Sequence, residues 1–297
     1  MTEQFILRLM QALILGLIAW NAYLIYRYAR KNSINLKEKF WTGFVIGIIT
    51  DFFDTLGIGT FATTTTFFKA TKLVSDDRKI PATMTTAHII PVLTEALLSI
   101  TIVQVDLKTL ICMAAAAFSG AFIGARVTQN WNTKMVQRTL GTLLMIAALI
   151  MAYRMITNPG QGLTDDVRGL TGLNLVIGMV FDFVVGLLMS MGLGNYAPEL
   201  IFFSLMGISP VIALPVMMLN AGMIMTAGAK AFIESGRVSW PGVVGISVGG
   251  VIGVLMAIRL ITILDVQVLK VLVIFIALYT GFTLLRASLV QRQSRKG

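Results

Sequence analysis

The 297-residue chain is 56% hydrophobic and 13% charged, with a mean hydropathy of +0.83 and a formal net charge of +10. Soluble globular domains carry about a quarter charged residues, so this balance excludes that class and describes an integral membrane protein. The basic residues sit in short segments between apolar runs, the signature of cytoplasmic loops, and imply a lipid bilayer rather than nucleic acid as partner.

Helices are predicted over 5–27, 41–56, 60–71, 82–103, 109–128, 135–156, 171–191, 195–206, 211–233, 240–262 and 266–287. The first is too long, and lacks the small-residue pattern, for a cleavable signal, so it is read as an anchor. Two segments, 60–71 and 195–206, are too short to span a bilayer, which takes ~20 apolar residues. Each follows a Gly-x-Gly break: Leu56-Gly57-Ile58-Gly59-Thr60-Phe61-Ala62 and Met191-Gly192-Leu193-Gly194-Asn195-Tyr196-Ala197. Superposing the breaks at an offset of 135 brings Gly43 onto Gly178, Phe67-Phe68 onto Phe202-Phe203, and the Gly120/Gly124 pair near Gly249/Gly253. The chain is an internal duplication.

The expected fold is an all-α integral membrane protein of two inverted repeats. Each repeat has a re-entrant or broken helical hairpin plus about three spanning helices, and one extra helix precedes them. Residues 1–40 form that extra helix and a cytoplasmic loop, 41–156 the first repeat, 157–170 an extracytoplasmic connector, 171–287 the second repeat, and 288–297 a basic cytoplasmic tail. Charge decides between hairpin and broken span. The hairpin arrangement puts 18 of the 24 Lys and Arg on the cytoplasmic side, against 14 for two broken spans. The N-terminus is then outside and the C-terminus in the cytoplasm, in the cell membrane.

A half-helix that starts inside the membrane presents free N–H groups and a positive dipole end, which suit an anion. Gly57, Gly59, Thr60, Thr63, Thr64, Gly192, Gly194, Asn195 and Tyr196 are therefore the candidate substrate-binding residues. At least two of the five threonines between 60 and 66 are expected to bond back onto helix carbonyls instead. Ionisable residues inside a membrane are costly and functional by default. Asp51, Asp54, Asp182, His88, Glu95 and Glu199 are the proton-coupling candidates. Asn220 is read as interhelical glue. With one cysteine, Cys112, inside an apolar run, the chain offers no disulfide and no cysteine-based metal site, and neither metal nor cofactor is expected.

The duplicated unit, both Gly-x-Gly breaks, the Tyr196-Ala197-Pro198 run, Pro81 and Pro215 before the next helices, and the two Gly-x-x-x-Gly pairs resemble the TauE/SafE family of sulfite exporter-like permeases. The resemblance covers about residues 41–287. It implies a secondary transporter, not an enzyme, for a small anion such as sulfite, sulfoacetate or another organosulfonate or organic acid. Alternating access, with proton coupling as an added expectation, is the mechanism. A small-anion channel is the alternative. An intramembrane aspartyl protease is remote, since the residue after Gly194 is Asn195 and Ala213-Leu214-Pro215 has the wrong order. No phosphate-binding loop is present, so ATP is not the driver in this chain. The oligomeric state is left open, a homo-oligomer included.

Overall fold

The computed structural model describes residues 3–57, 59–76, 79–127, 133–157, 167–189, 194–261 and 266–290. Among them, all regular structure is α-helical: α1 (Glu3–Lys31), α2 (Phe40–Thr55), α3 (Thr60–Thr71), α4 (Ile80–Ile102), α5 (Leu107–Val127), α6 (Thr133–Thr157), α7 (Gly172–Met189), α8 (Tyr196–Leu205), α9 (Pro210–Glu234), α10 (Val243–Ile261) and α11 (Val266–Val290). The eleven predicted helices are these eleven. The differences are at ends: α1 runs four residues past the expected Tyr26-Arg27 end, and α11 runs into the segment read as tail. Pro81 opens α4 as expected, whereas Pro215 lies inside α9, which Pro210 opens. Among the described residues, six helices (α1, α4, α5, α7, α9 and α10) are long and apolar enough to cross a membrane. Their outward faces carry large apolar side chains such as Leu13, Phe122, Leu173 and Leu255, as contact with lipid requires.

Close contacts fix the helix directions. Gly43 meets Gly242, Gly47 meets Ile246 and Gly250, and Phe44 meets Gly249, so α2 and α10 run parallel. Ser239 N–H donates to Thr83 Oγ1 at 2.9 Å, Ser247 Oγ donates to the Ala87 carbonyl at 2.7 Å, and Pro91 meets Gly250, so α4 runs with them. Since α2 and α4 point the same way, the short α3 between them returns the chain toward the side it came from. Similarly, Met113 meets Gly178 and Ala117 meets Gly186, so α5 and α7 are parallel. Equivalent helices of the two halves oppose each other. Leu93 packs on Gly222 at mid-helix, while Ser99, Ile102 and Val103 share a small void with Val211, Leu214 and Met218; α4 and α9 are antiparallel. Gly141 meets Leu284 and Leu285 while Met145 meets Gly281, which makes α6 and α11 antiparallel too.

Exchanging the two halves exchanges the contacts: α2 with α10 becomes α7 with α5, and α4 with α10 becomes α9 with α5. The seams are lined by glycine because lipid supplies no hydrophobic drive for association, and helices hold together by close backbone approach. Phe68 and Phe203, from the duplicated Phe pair, are both fully buried and anchor the two short helices. Phe181 of α7 stacks on Phe202 of α8 at 4.3 Å. The halves are not identical, however. Every residue of α8 but Leu205 is buried, while α3 leaves Thr66 and Lys69 exposed.

Candidate functional site

The first break is made by two glycines with positive φ, Gly57 at 93° and Gly59 at 85°, a region that glycine alone enters without strain. Gly57 is buried against Leu200, away from solvent. Gly59 opens onto a cavity of about 410 Å³, the size of a small-molecule site. Its inner end is the meeting point of the two hairpins: Asp54, Gly59 and Thr60 from the first, Gly194, Asn195 and Tyr196 from the second. From there it runs along α9 past Ala221 and Met225, and along α11 from Tyr279 to Ala287, to Gln137 near the start of α6. On the other side of the tips, Leu200, Leu214 and Ile276 close around Gly57. The helix directions put the Gln137 and Ala287 end of the cavity with the 32–39 and 235–242 connections, which are joined by the Gly242 N–H to Glu38 carbonyl bond at 2.8 Å. Lys31, Lys37, Lys39, Lys72, Arg138, Lys230 and Arg237 lie at that end. No lysine, arginine or histidine is among the described residues that line the cavity.

Not every expected binding residue reaches it. Thr63 bonds back onto the Thr60 carbonyl at 3.0 Å, as α-helical threonines inside membranes do, and does not line the cavity. Thr64 is fully buried and turned to His88. Asn195 lines the cavity, but its Nδ2 donates to Glu199 Oε1 at 3.0 Å and the Met217 carbonyl at 3.1 Å, so its amide is committed. Gly192 lies outside the described residues, as do Asp165 and Asp166 of the connector. Conversely, Gln137, Tyr279, Thr280 and Thr283 line the cavity without having been expected. The signal was available: Thr280, Thr283 and Ala287 fall on one face of a helix that is otherwise apolar.

The six ionisable candidates are all completely or almost completely buried, and four of them fall into two chains, one in each half. In the first, both Asp51 oxygens are 2.9 Å from His88 Nδ1, and His88 Nε2 is 3.1 Å from Thr64 Oγ1. The chain thus runs from α2 through α4 to α3. In the second, Asn220 Nδ2 donates to Asp182 Oδ2 at 2.6 Å and to Glu199 Oε2 at 3.0 Å, from α9 to α7 and α8. In each, a side chain of the long following helix ties together the two arms of a hairpin. The Asn220 amide is glue in the literal sense: it holds three helices. The first chain contains an imidazole, the second an amide in its place.

Two further carboxyls belong to the first half. Asp54 lies where the Thr60 N–H at the start of α3 approaches it, without a hydrogen bond of ordinary length to either oxygen. It occupies the place at the half-helix dipole that an anion would take. Glu95, on α4, accepts from the Tyr196 hydroxyl of the opposite hairpin at 3.2 Å. This bond joins the two halves next to the cavity.

The sequence profile of a known family, described as sulfite exporter TauE/SafE, matches residues 1–151. The chain belongs to the TauE/SafE family. The match takes in α1, the first hairpin and the long helices up to α6, so the extra N-terminal helix, set aside in the sequence-based resemblance, falls within it. No curated protein and no solved structure matches the chain. TauE/SafE membership implies a multi-pass membrane transporter for sulfite-like anions.

Proposed function

We propose that this TauE/SafE chain is a secondary transporter that moves a small sulfur-containing or organic anion by alternating access between two inverted halves. The observation that carries the reading is the cavity at the hairpin tips. It ends on the start of two half-helices, and its described lining offers hydroxyl, amide and phenol groups and the Asp54 carboxyl, with no lysine, arginine or histidine among them. Helix N-termini and neutral donors bind an anion reversibly. The apolar side chains of Leu200, Leu214 and Ile276 around Gly57 disfavour a channel, which needs a continuous polar path.

The opposed directions of α4 and α9, and of α6 and α11, support the inverted arrangement, with repeats at 41–156 and 171–287. The basic end is then cytoplasmic, the N-terminus is outside and the cavity faces inward. Asp54 gives a reason for proton coupling. An anion at the start of α3 would lie beside this carboxylate, so its binding is favoured when Asp54 carries a proton. Asp51 with His88, and Asp182 with Glu199, supply further protonation sites within one side chain of the hairpins.

Flux into proteoliposomes tests the reading. Uptake of sulfite or sulfoacetate should saturate and respond to an imposed pH gradient. Gly59→Leu should insert normally and lose at least about tenfold of the flux. Its φ of 85° costs a leucine roughly 1–3 kcal/mol of backbone strain, and the side chain projects at the tip. Non-saturating flux would favour the channel, and full flux in Gly59→Leu would remove the tips from the site.

A further inference from the structure

Tyr196 connects the cavity to a buried carboxyl of the other half, Glu95. It lines the cavity at the start of α8, yet its hydroxyl donates to Glu95 Oε2 on α4. Glu95 is fully buried, and its second oxygen, Oε1, makes no hydrogen bond among the described residues. The titratable groups that act on Glu95 are Asp54 and Asp51 from α2 and Tyr196 from α8. From α1, α9 and α10, which also pack on α4, none does among the described residues. His88, on the same helix, is committed to Asp51. Glu95 therefore has two carboxyls for neighbours and a phenol as its donor; the Thr55 hydroxyl also lies close, but its hydrogen is committed to the Asp51 carbonyl at 2.8 Å.

A phenol has a single hydrogen to donate. It can serve an ionised Glu95 or an oxyanion in the cavity, and not both at once. Taking it from an ionised Glu95 would leave a buried charge without its donor, which is strongly unfavourable. If Glu95 gains a proton, the demand disappears. Its new O–H can donate to the Tyr196 oxygen, and the phenol hydrogen is free to turn to the anion.

We propose that Glu95 and the transported anion compete for the Tyr196 hydroxyl, so that an anion binds together with one proton taken up by Glu95. The proton comes from water and ends on a Glu95 oxygen. The Tyr196 O–H bond stays intact, and only its acceptor changes. The assignment deepens the anion-transport reading and rests on it. By linkage, anion affinity is full below the pH at which Glu95 ionises and is lost as pH rises through it; the anion raises the proton affinity of Glu95 by the same factor. Tyr196 acts here as the positioning residue that passes the state of one half to the other.

The test uses the purified full chain titrated with ethanesulfonate, whose charge does not change with pH. Calorimetric titrations in buffers of different ionisation enthalpy count the protons. The expected result is net proton uptake approaching one per anion, with Kd weakening by up to about tenfold per pH unit where uptake is full. Glu95→Gln should take up about one proton fewer per anion than the wild type, with a correspondingly shallower pH profile. Tyr196→Phe should bind more weakly, with the same loss of one proton. Wild-type binding with no proton uptake from pH ~5.5 to ~8.5 would overturn the proposal, and it needs no variant to fold. Wild-type uptake retained in Tyr196→Phe would overturn it as well. Failure of ethanesulfonate, sulfoacetate and sulfite to bind at any pH would instead overturn the transport reading beneath it.

Discussion

Replacing Gly47 by valine should leave almost no protein that can be extracted folded and monodisperse. A Cβ at this position would fall on the Ile246 carbonyl oxygen and crowd the Gly250 backbone nitrogen. Both obstacles are backbone atoms of α10, so no rotamer change relieves them. The neighbouring contacts have the same character: a Cβ on Gly43 would meet Gly242, and one on Gly249 would meet the Phe44 carbonyl. The two helices would have to separate along their whole seam. In lipid that seam is held by dispersion and close approach alone, with no water to expel. Overpacking of this kind costs about 1–3 kcal/mol where side chains can yield, and more where backbone must move. Native stabilities are only about 5–15 kcal/mol, so the loss is large. Gly16→Val is the matched control. Gly16 is exposed on α1 with nothing near its missing Cβ, and this variant should elute and melt like the wild type. Size-exclusion yield and melting temperature of the two variants decide the point.

His88→Leu should reduce anion flux by about a hundredfold or more and destabilise the protein by about 1–3 kcal/mol, the usual cost of leaving a buried polar group without its hydrogen-bond partner. His88 is the only titratable base that the described residues place within hydrogen-bond reach of Asp51. Without it, Asp51 loses its partner beside Asp54 and Glu95, and Thr64 loses the bond that ties α3 to α4. Asp51→Asn should cost less, because an amide still bonds the imidazole. The double variant Asp51→Asn, His88→Leu should be no worse than the sum of its parts, and milder than that if the pair acts as a unit. Flux and melting temperature measured around this cycle would show whether the two side chains are coupled. Additive losses would mean that they act separately.

Much of this architecture was legible in the sequence because it is written in local terms. Helix positions follow from runs of apolar residues, breaks from Gly57 and Gly59, and the orientation of the short helices from where lysine and arginine fall. The charge count favours the hairpin arrangement, and the parallel directions of α2 and α4 support it. The partners of the buried polar residues were not legible. Asp51 and His88 are 37 residues apart, and Tyr196 and Glu95 are 101 apart. Those pairs form because α4 packs between the hairpins, and no local pattern encodes which polar residue meets which. The five threonines between 60 and 66 look alike in the sequence, but a helix turns successive residues by about 100°, so Thr60 faces the cavity, Thr63 its own backbone and Thr64 the histidine. The contribution of α11 was missed because a long apolar helix reads as a lipid anchor until something is seen packed against its threonine face.

The most direct test of the central claim places a reporter at the tip of the second hairpin. Gly194 is exposed to the cavity and has open space where a Cβ would be, so Gly194→Cys, in a Cys112→Ala background, introduces a thiol without a clash. In oriented proteoliposomes, a membrane-impermeant thiosulfonate should modify it from the side of the basic loops. Saturating sulfoacetate or ethanesulfonate should slow the reaction severalfold. Modification at the same rate with and without anion, or equally fast from the opposite side, would contradict a transport site between the hairpin tips that faces one side at a time.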